Sequence, residues 1–295
     1  MKSRGFALIL VIWVLVLLSA IGAGFSTLVG VETRSASWAG EKVGFHSAAL
    51  AAVHRAILDL REVDSQSGWK VNGVPNDWHW QGFEVQLTIR YEAGKVDLNY
   101  APRPILSGLF RQLFPDADAN ALSGALLDWR DRDDKVSEQG AEEAAYEAAG
   151  YARSPANAPL SSISELSQVL GFDSQMVEVL RPHVTVFARS AKLDASTASA
   201  TVLRAIPDAD PVQVSAFVAH RAEASANDET PDFSILGVSR QWIETGRQSG
   251  VLNLEALVTK DGRAHRERTV LRLQSPIGHY QVLAWETLMD VGTQP

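Results

Sequence analysis

The sequence contains no cysteine, which excludes two ways of stabilising a fold. Without thiols there is neither a disulfide framework nor a thiolate metal site, so the fold depends on packing or on ions held by oxygen ligands. Positive charge is also scarce, because 27 Lys and Arg stand against 35 Asp and Glu and the formal net charge is -8. A nucleic-acid-binding protein normally presents a basic face, so this composition argues against that class.

Catalytic motifs are missing as well. The seven histidines are scattered and show no HExxH spacing, and the sequence has neither a GxSxG motif nor a P-loop. We therefore expect a protein without enzymatic activity. A secreted or membrane-anchored hydrolase that uses a carboxylate pair is the alternative from another class.

Charge is absent from the whole segment 6–31, which is 26 residues long and follows Lys2 and Arg4. As a helix it would measure about 39 Å, which exceeds the ~30 Å hydrocarbon layer of a membrane. The basic residues before it predict that the amino end stays cytoplasmic and the rest is exported. A cleaved secretory signal, whose apolar region is typically ~7–15 residues, is the alternative.

The helical pattern continues beyond this segment. Apolar residues recur at steps of three and four, and no proline occurs before Pro75. This spacing predicts one long helix from Phe6 to about Glu62 with an apolar stripe that must pack on something. The stripe consists of Phe45, Ala49, Ala52, Val53, Ala56, Ile57 and Leu60.

Strand patterns flank a helical middle region. Residues 83–91 (FEVQLTIRY) alternate apolar and polar, which predicts a half-buried strand, and we expect a turn at 92–95 and a hairpin partner at 96–100. Near the carboxy end, alternation over 252–258, the turn signal Asp261-Gly262, and apolar runs at 270–273 and 280–285 predict three more strands. These strands should form one sheet laid on the long helix.

The middle region shows an internal repeat. The sequence PDAD occurs at 115–118 and at 207–210, each time between two helical patterns. Helix-hairpin-helix modules that bind DNA have a Gly-rich turn there, whereas these turns carry two acids each, which would repel phosphate. A membrane-tethered DNA-uptake module is therefore kept only as a further alternative.

Six carboxylates fall within the thirteen residues 131–143. Such a density repels itself unless water solvates it or a cation neutralises it, and calcium is the natural candidate. The spacing is not that of an EF-hand, because Lys135 and Val136 occupy ligand and glycine positions. A solvated loop and an irregular calcium site remain as alternatives. The candidate ligands are Asp131, Asp133, Asp134, Glu142 and Glu143.

The order of these features resembles a known family. A short basic leader ending in Gly5, then Phe6 and a long apolar helix, looks like a type IV prepilin. The ordered segments VDLNYAPRPILSGL (96–109), LLDWRDRDD (126–134), GAEEAAY (140–146) and NAPLSSISELSQVLGF (157–172) resemble the minor pseudopilin K family of the type II secretion system. KLDASTASATVL (192–203) looks like a degenerate copy of the family's second strand-to-helix segment.

The resemblance implies an α+β fold of the type IV pilin kind, with a long N-terminal helix packed on an antiparallel sheet and a large inserted α-helical domain. It implies cleavage after Gly5 by a prepilin peptidase and methylation of Phe6. It places the chain in the bacterial inner membrane as a single-pass protein with its C-terminal domain in the periplasm. The expected boundaries are 1–5 leader, 6–31 membrane segment, 32–99 periplasmic helix and first hairpin, 100–190 inserted helical domain, 191–249 second helical segment and loop, and 250–295 final strands.

Leu10 stands where most members carry glutamate at mature position five. That acid is thought to neutralise the terminal amine of the subunit ahead, since a buried unpaired ammonium is costly in lipid. A subunit without this acid can have another subunit added behind it but cannot neutralise the amine of a subunit ahead. This predicts a position at the tip of the pseudopilus. The resemblance implies minor pseudopilins I and J as tip partners, which we expect to bind the Phe45–Leu60 stripe, alongside contacts with other pseudopilins. It implies no nucleic acid and no required cofactor.

Overall fold

The computed structural model describes residues 4–60, 68–151, 154–227, 229–245, 250–274 and 279–288; within the first range it describes the side chains of 11–19 and 41–60. The helices are α1 Arg4–Asp59, α2 Arg103–Leu113, α3 Ala119–Arg130, α4 Glu143–Ala148, α5 Ser174–Leu180, α6 Ala200–Arg204 and α7 Pro211–Ala226. The strands are β1 Pro75–Trp80, β2 Phe83–Tyr91, β3 Val96–Asp97, β4 Val184–Thr185, β5 Leu193–Asp194, β6 Ile243–Glu244, β7 Val251–Lys260, β8 Arg263–Gln274 and β9 His279–Leu288.

Five strands form one antiparallel sheet in the order β1-β2-β7-β8-β9. Strand β2 has the predicted bounds, and the predicted C-terminal hairpin is present, with Asp261 and Gly262 at positive φ (48° and 75°) between β7 and β8. A two-residue turn with positive φ at both positions matches the right-handed twist of the flanking strands, which explains the Asp-Gly sequence.

The predicted hairpin between 83–91 and 96–100 is wrong. Strand β2 pairs instead with β1 through a turn at Gln81 and Gly82, and β3 pairs in parallel with β4, outside the main sheet. The chain leaves the sheet because a 3-10 turn at Glu92–Gly94 follows β2, and Val96 and Leu98 are then buried in a different core. Alternation of apolar residues marks a strand but not which core the strand serves.

The apolar stripe of α1 packs on the inner face of the main sheet. Phe45, Ala49, Ala52, Ala56 and Ile57 are all at most 7% exposed, and they share a core with alternate residues of β2 and β7. The expectation that subunits I and J bind through the Phe45–Leu60 stripe is therefore wrong for this face, since the chain's own sheet covers it. The small alanine side chains let the helix axis approach the sheet closely.

The remaining elements lie between β2 and β7 and enclose a second hydrophobic core. The face predicted on α3 is buried there, with Leu122, Ala125, Leu126 and Trp129 at most 5% exposed. The architecture is thus a mixed α+β fold, an antiparallel sheet with a separate helical block.

The helical block contains the same arrangement twice. We call 96–185 the first unit and 193–244 the second unit. In each unit the first strand pairs in parallel with the last strand. Val96 is opposite Val184 in the first unit, and Leu193 is opposite Ile243 in the second. In each, the last acid of PDAD caps the following helix, because Asp118 accepts from the backbone N–H of Asn120 and Ala121, and Asp210 accepts likewise at the start of α7.

In each unit a half-buried arginine binds the first residues of the unit. The Arg130 guanidinium donates hydrogen bonds to the carbonyl oxygens of Leu98 and Ala101 (2.7 Å to Ala101). The Arg221 guanidinium donates to the carbonyl oxygens of Ala195 and Ala198 at 2.7 and 2.8 Å. We call these two side chains the arginine clamps. They satisfy backbone carbonyls that would otherwise be buried without partners at the start of each unit.

Candidate functional site

The acidic loop, residues 131–142, connects α3 to α4 in the first unit. Asp131 closes α3, since its backbone N–H donates to the carbonyl oxygen of Leu127 at 3.1 Å. Glu142 precedes α4 but makes no capping hydrogen bond with its side chain, although glutamate in such a position can reach the free N–H groups. The residue is only 7% exposed, and the other acids of the loop are near enough to raise its pKa.

Asp128 on α3 holds the acidic loop through hydrogen bonds to its backbone. It is fully buried on α3, and both of its carboxylate oxygens accept from the backbone N–H of Ser137, at 3.2 and 3.1 Å. Gly140 passes so close that an added Cβ would lie 2.0 Å from Asp128 Oδ2, so only glycine fits there. Asp128 is not among the predicted ligands, although an acid between the apolar Leu127 and Trp129 was a usable signal.

Three buried oxygen atoms near the loop have no hydrogen-bond donor among the described residues: Asp131 Oδ1, Glu142 Oε1 and Asn157 Oδ1. Asn157 is tied to the loop, because its Nδ2 donates to Asp134 Oδ1 at 2.8 Å. Buried oxygens without donors cost roughly 1–3 kcal/mol each, so a site with three of them calls for a donor or a cation.

The carboxylates of the loop repel one another. The pKa of Glu142 is raised to about 6, by burial first and then by the neighbouring charges of Asp128, Asp131, Asp134 and Asp133. The pKa of Asp131 is raised by burial and then by Asp133 and Asp128. The structure therefore brings four of the five predicted ligands, Asp131, Asp133, Asp134 and Glu142, into one mutually repelling group.

The fifth predicted ligand has a different neighbour. Glu143 Oε1 accepts from Ser154 Oγ at 3.2 Å and does not contribute to the shifted pKa of Glu142. Asp133 is partly used by the loop itself, since its Oδ1 accepts from the backbone N–H of Lys135 at 3.0 Å.

The donor set has the chemistry that calcium prefers. Calcium takes six to eight oxygen ligands, including carboxylates and side-chain amide oxygens. Asp131, Glu142 and Asn157 offer oxygens of both kinds. In the described part of the chain, however, no three His, Cys, Asp or Glu side chains form a group arranged to hold a metal ion.

The predicted processing and tip positions lie at the start of α1. Gly5, Phe6 and Leu10 are helical in their backbone, but their side chains lie outside the described residues. Over the residues that the structure covers, no helix combines the length and apolarity that a membrane crossing requires.

A polar cluster joins α1 to the sheet, and no sequence pattern predicted it. Glu267 on β8 is 3% exposed, and its oxygens lie 3.0 Å from His46 Nδ1 and 2.9 Å from His265 Nε2. Trp285 Nε1 donates to the same carboxylate at 2.6 Å. His46 and Glu267 are 221 positions apart, so no local pattern could have paired them.

The helix starts that a DNA-binding module would offer to phosphate are already occupied. At α3 and α7 the free N–H groups donate to the carboxylates of Asp118 and Asp210. A phosphate at either position would meet a negative charge instead of free donors.

Comparison with known proteins bears on this helical block. Residues 91–189, which include the first unit and its acidic loop, match the family model described as "Type II secretion system (T2SS), protein K". A curated relative, Type II secretion system protein K of Pectobacterium carotovorum subsp. carotovorum, is 36% identical over 84 residues. That alignment covers 28% of this chain and 26% of the relative, about a quarter of each. The predicted resemblance to this family is thereby confirmed.

A solved structure extends the likeness to the fold as a whole. The chain is similar, with a TM-score of 0.59 and 18% identity, to a chain of the GspK-GspI-GspJ complex from the enterotoxigenic Escherichia coli Type 2 Secretion System. The match covers 88% of this chain and 100% of the other. At this identity the match establishes the fold alone, and it includes both the sheet and the helical block.

Proposed function

We propose that this chain, whose first helical unit carries the sequence of the type II secretion system protein K family, is a minor pseudopilin at the tip of a periplasmic pseudopilus. The observation that carries the proposal is the placement of that unit. The family match falls on the block inserted between β2 and β7, and the sheet outside it is backed by α1. Such a protein acts as a structural subunit in protein export.

The amino-terminal part of the proposal is a single-pass anchor in the inner membrane, with the sheet and helical block in the periplasm. Its support is the uncharged segment 6–31 behind Lys2 and Arg4. Where the side chains of this segment are described, at 11–18, all eight are large, apolar and 47–69% exposed, so lipid or neighbouring helices must cover them.

Mass spectrometry of the mature amino terminus tests this assignment. Processing after Gly5 predicts a chain that starts with methylated Phe6. A start near Ala23 or Gly24 would instead identify a secreted protein and would remove the pseudopilin proposal, leaving the hydrolase alternative.

The partners in this proposal are minor pseudopilins I and J. Its support is the similar fold of a chain in the GspK-GspI-GspJ complex. Because the chain's own sheet covers the inner face of α1, the contacts must use other surfaces, such as the outer side of α1 with exposed Val43 and Leu58. Co-purification of the three full-length proteins tests this, and failure of Val43→Asp with Leu58→Asp to weaken recovery would exclude this surface.

The tip position follows, in this proposal, from the missing acid at Leu10. A Leu10→Glu variant could neutralise the amine of a subunit ahead, so we expect it to enter filament shafts. The measurement is the position of the tagged protein along isolated pseudopili by immunogold labelling. Unchanged confinement to the tip would reject the electrostatic explanation while leaving the family assignment intact.

We further propose that calcium neutralises the acidic loop. The support is the coincidence of Asp131 Oδ1, Glu142 Oε1 and Asn157 Oδ1, all buried and lacking donors, with four carboxylates that repel one another. The amide oxygen of Asn157 is a ligand type that a count of acids omits. Closing the loop around the ion would bring these donors to the 2.3–2.6 Å that calcium requires.

Calorimetry and thermal unfolding of the chelator-treated protein test the calcium proposal. Calcium at 100 times its Kd should stabilise the fold by about 2.7 kcal/mol. Glu142→Gln should remove this gain, whereas the exposed Glu147→Gln should keep it. Absence of both binding heat and a Tm change in the unmodified protein would contradict the proposal.

A further inference from the structure

A second polar site lies on the outer face of the sheet, opposite α1. It is a cavity of about 330 Å³ between β2, β7 and the start of the second unit. Its lining includes Arg90, Lys95, Thr197, Ser199, Arg221 and Glu255. We call it the cationic cleft, because three of these side chains are cations and one is a carboxylate, in a chain whose formal net charge is -8.

The walls of the cleft are fixed by close contacts. Gly94 approaches the second unit so closely that an added Cβ would lie 2.7 Å from Thr197 Oγ1 and 3.0 Å from the Thr197 carbonyl carbon. Asn253, which also lines the cleft, donates from Nδ2 to the fully buried Glu92 at 2.8 Å. Glu92 is in turn paired with Arg268 at 2.9 Å.

Of the three cations in the cleft, Lys95 is the one whose charged group makes no hydrogen bond to a described residue. Burial lowers the pKa of Lys95, and the opposing influence of the carboxylates of Glu92, Glu255 and Glu286 does not restore it. The described residues give its ammonium no hydrogen-bond acceptor, since the bond from Lys95 to Glu92 is made by the backbone N–H. A half-buried ammonium without an acceptor is costly unless an anion joins it.

His183 lies near this ammonium and is also left without a partner. Its Nδ1 is buried and lacks a hydrogen-bond partner among the described residues. Burial lowers the pKa of His183, and Lys95 lowers it further, so the two side chains share one electrostatic environment. An oxyanion beside Lys95 would stabilise the protonated form of both side chains.

Arg90 and Arg221 add positive charge to the cleft beside Lys95. Burial lowers the pKa of Arg221, and Arg90 lowers it further against the opposing effect of Asp194, so the two guanidinium groups repel each other. The carboxylate of Glu255 lies 3.9 Å from Arg90 Nη1, too far for a hydrogen bond. Like charges that converge on a cavity are typical of a site that receives an opposite charge.

We propose that the cationic cleft binds an oxyanion, a carboxylate or phosphate group, between Lys95, Arg90 and Arg221. Guanidinium groups match the planar oxygen pairs of such anions, and the hydroxyl of Ser199 can donate to a remaining oxygen. The hydroxyl of Thr197 already donates to the Tyr91 carbonyl oxygen at 3.4 Å. The cavity volume admits a small ligand or the end of an acidic side chain, but not a folded domain. This site is independent of the acidic loop and of the tip assignment.

Isothermal titration of the full chain in detergent tests the proposal. The probes are inorganic phosphate, citrate and an acetylated four-residue glutamate peptide, at constant ionic strength. We expect saturable binding of at least one probe, weakened about tenfold or more in Lys95→Met. Lys42→Met, which removes an exposed ammonium on α1, should leave the Kd unchanged within about twofold.

Saturable binding of phosphate or citrate alone would identify a free small molecule as the source, and tighter binding of the peptide would identify a protein-borne carboxylate. If Lys95→Met fails to fold, the unmodified protein still decides the question. Reductive methylation of Lys95, followed by mass spectrometry, should slow about tenfold in the presence of the bound probe. No saturable heat with any probe, equal Kd values for the two variants, or unprotected Lys95 would overturn the proposal.

Discussion

The first and second helical units use the same frame but differ in the segment that follows the arginine clamp. In both, a capped helix carries a half-buried arginine that binds the carbonyl groups of the entering chain. After Arg130 the first unit inserts the acidic loop, α4 and α5 before the chain returns at Val184. After Arg221, α7 continues to Ala226 and the described chain returns through the 3-10 turn at Phe233–Leu236; the clamp of this unit faces the cationic cleft.

The difference shows that one frame can carry different charged groups, although Arg221 belongs both to the frame and to the cationic cleft. The clamps and caps recur because every such unit must satisfy the same backbone groups. The acidic loop belongs to the first unit, whereas the cationic cleft lies between the main sheet and the start of the second unit. Each unit can therefore be perturbed in its frame or in its charged groups, and the two kinds of change should have different signatures.

Loss of the clamps should have the largest effect. Arg130→Met leaves two buried carbonyls without donors, and we expect the free energy of unfolding to fall by about 3 kcal/mol. Arg221→Met should cost about 2 kcal/mol, because one nitrogen serves both carbonyls there. Urea denaturation measures both, with the exposed Arg111→Met as control. A clamp variant as stable as the control would show that the shared frame is not held in this way.

Separating the two units should have the next largest effect. An added Cβ at Gly108 on α2 would lie 2.2 Å from the carbonyl oxygen of Ala205, directly after α6. Gly108→Ala should therefore push the units apart and lower the free energy of unfolding by about 2 kcal/mol. Gly150, where an added Cβ would meet no atom within 4 Å but φ is 77°, gives a matched strain-only control. Thermal unfolding that separates into two transitions would support a direct coupling of the units.

The acidic loop should make the stability of the first unit depend on pH through Glu142. In the folded protein the pKa of Glu142 is raised to about 6 from its ordinary 4.5, so between these values the native state binds more protons than the unfolded state. Stability should consequently fall as pH rises from about 4.5 to about 6.5. Glu142→Gln should flatten this slope in urea denaturation at several pH values. A slope unchanged by the substitution would place its origin in other groups.

Removal of the helix caps should have the smallest effect and should be equal in the two units. Asp118→Ala and Asp210→Ala each remove a carboxylate that accepts from two backbone N–H groups. We expect each to lower the free energy of unfolding by about 1 kcal/mol. Differential scanning calorimetry can compare the two changes in Tm. A large inequality would mean that one cap has a role beyond its own helix.

The elements fixed by local patterns were predictable from the sequence. The alternation of Phe83–Tyr91, the Asp261-Gly262 turn and the apolar face of α3 depend on residues a few positions apart. The second strand of the first hairpin was wrong because Val96 and Leu98 have a strand pattern but belong to the other core. Periodicity reports that a side chain is buried, not what buries it.

The candidate sites were predictable only in part, for the same reason. Density of charge along the chain identified Asp131, Asp133, Asp134 and Glu142. It could not reveal Asn157, whose bond to Asp134 spans 23 positions, or the cationic cleft, which joins residues from Arg90 to Glu255. Sites assembled from distant segments become visible only when the topology is known.

The topology itself has a consequence for how this protein could be rebuilt. Strands β2 and β7 are antiparallel neighbours, and Tyr91, at the end of one, is paired with Leu252, near the start of the other. The whole helical block thus leaves and re-enters at adjoining points, so a short reverse turn could replace it and convert the sheet into a simple meander. The helical block is thus an insertion between two neighbouring strands of a five-stranded sheet. It can be exchanged for another insert without a change in the strand order.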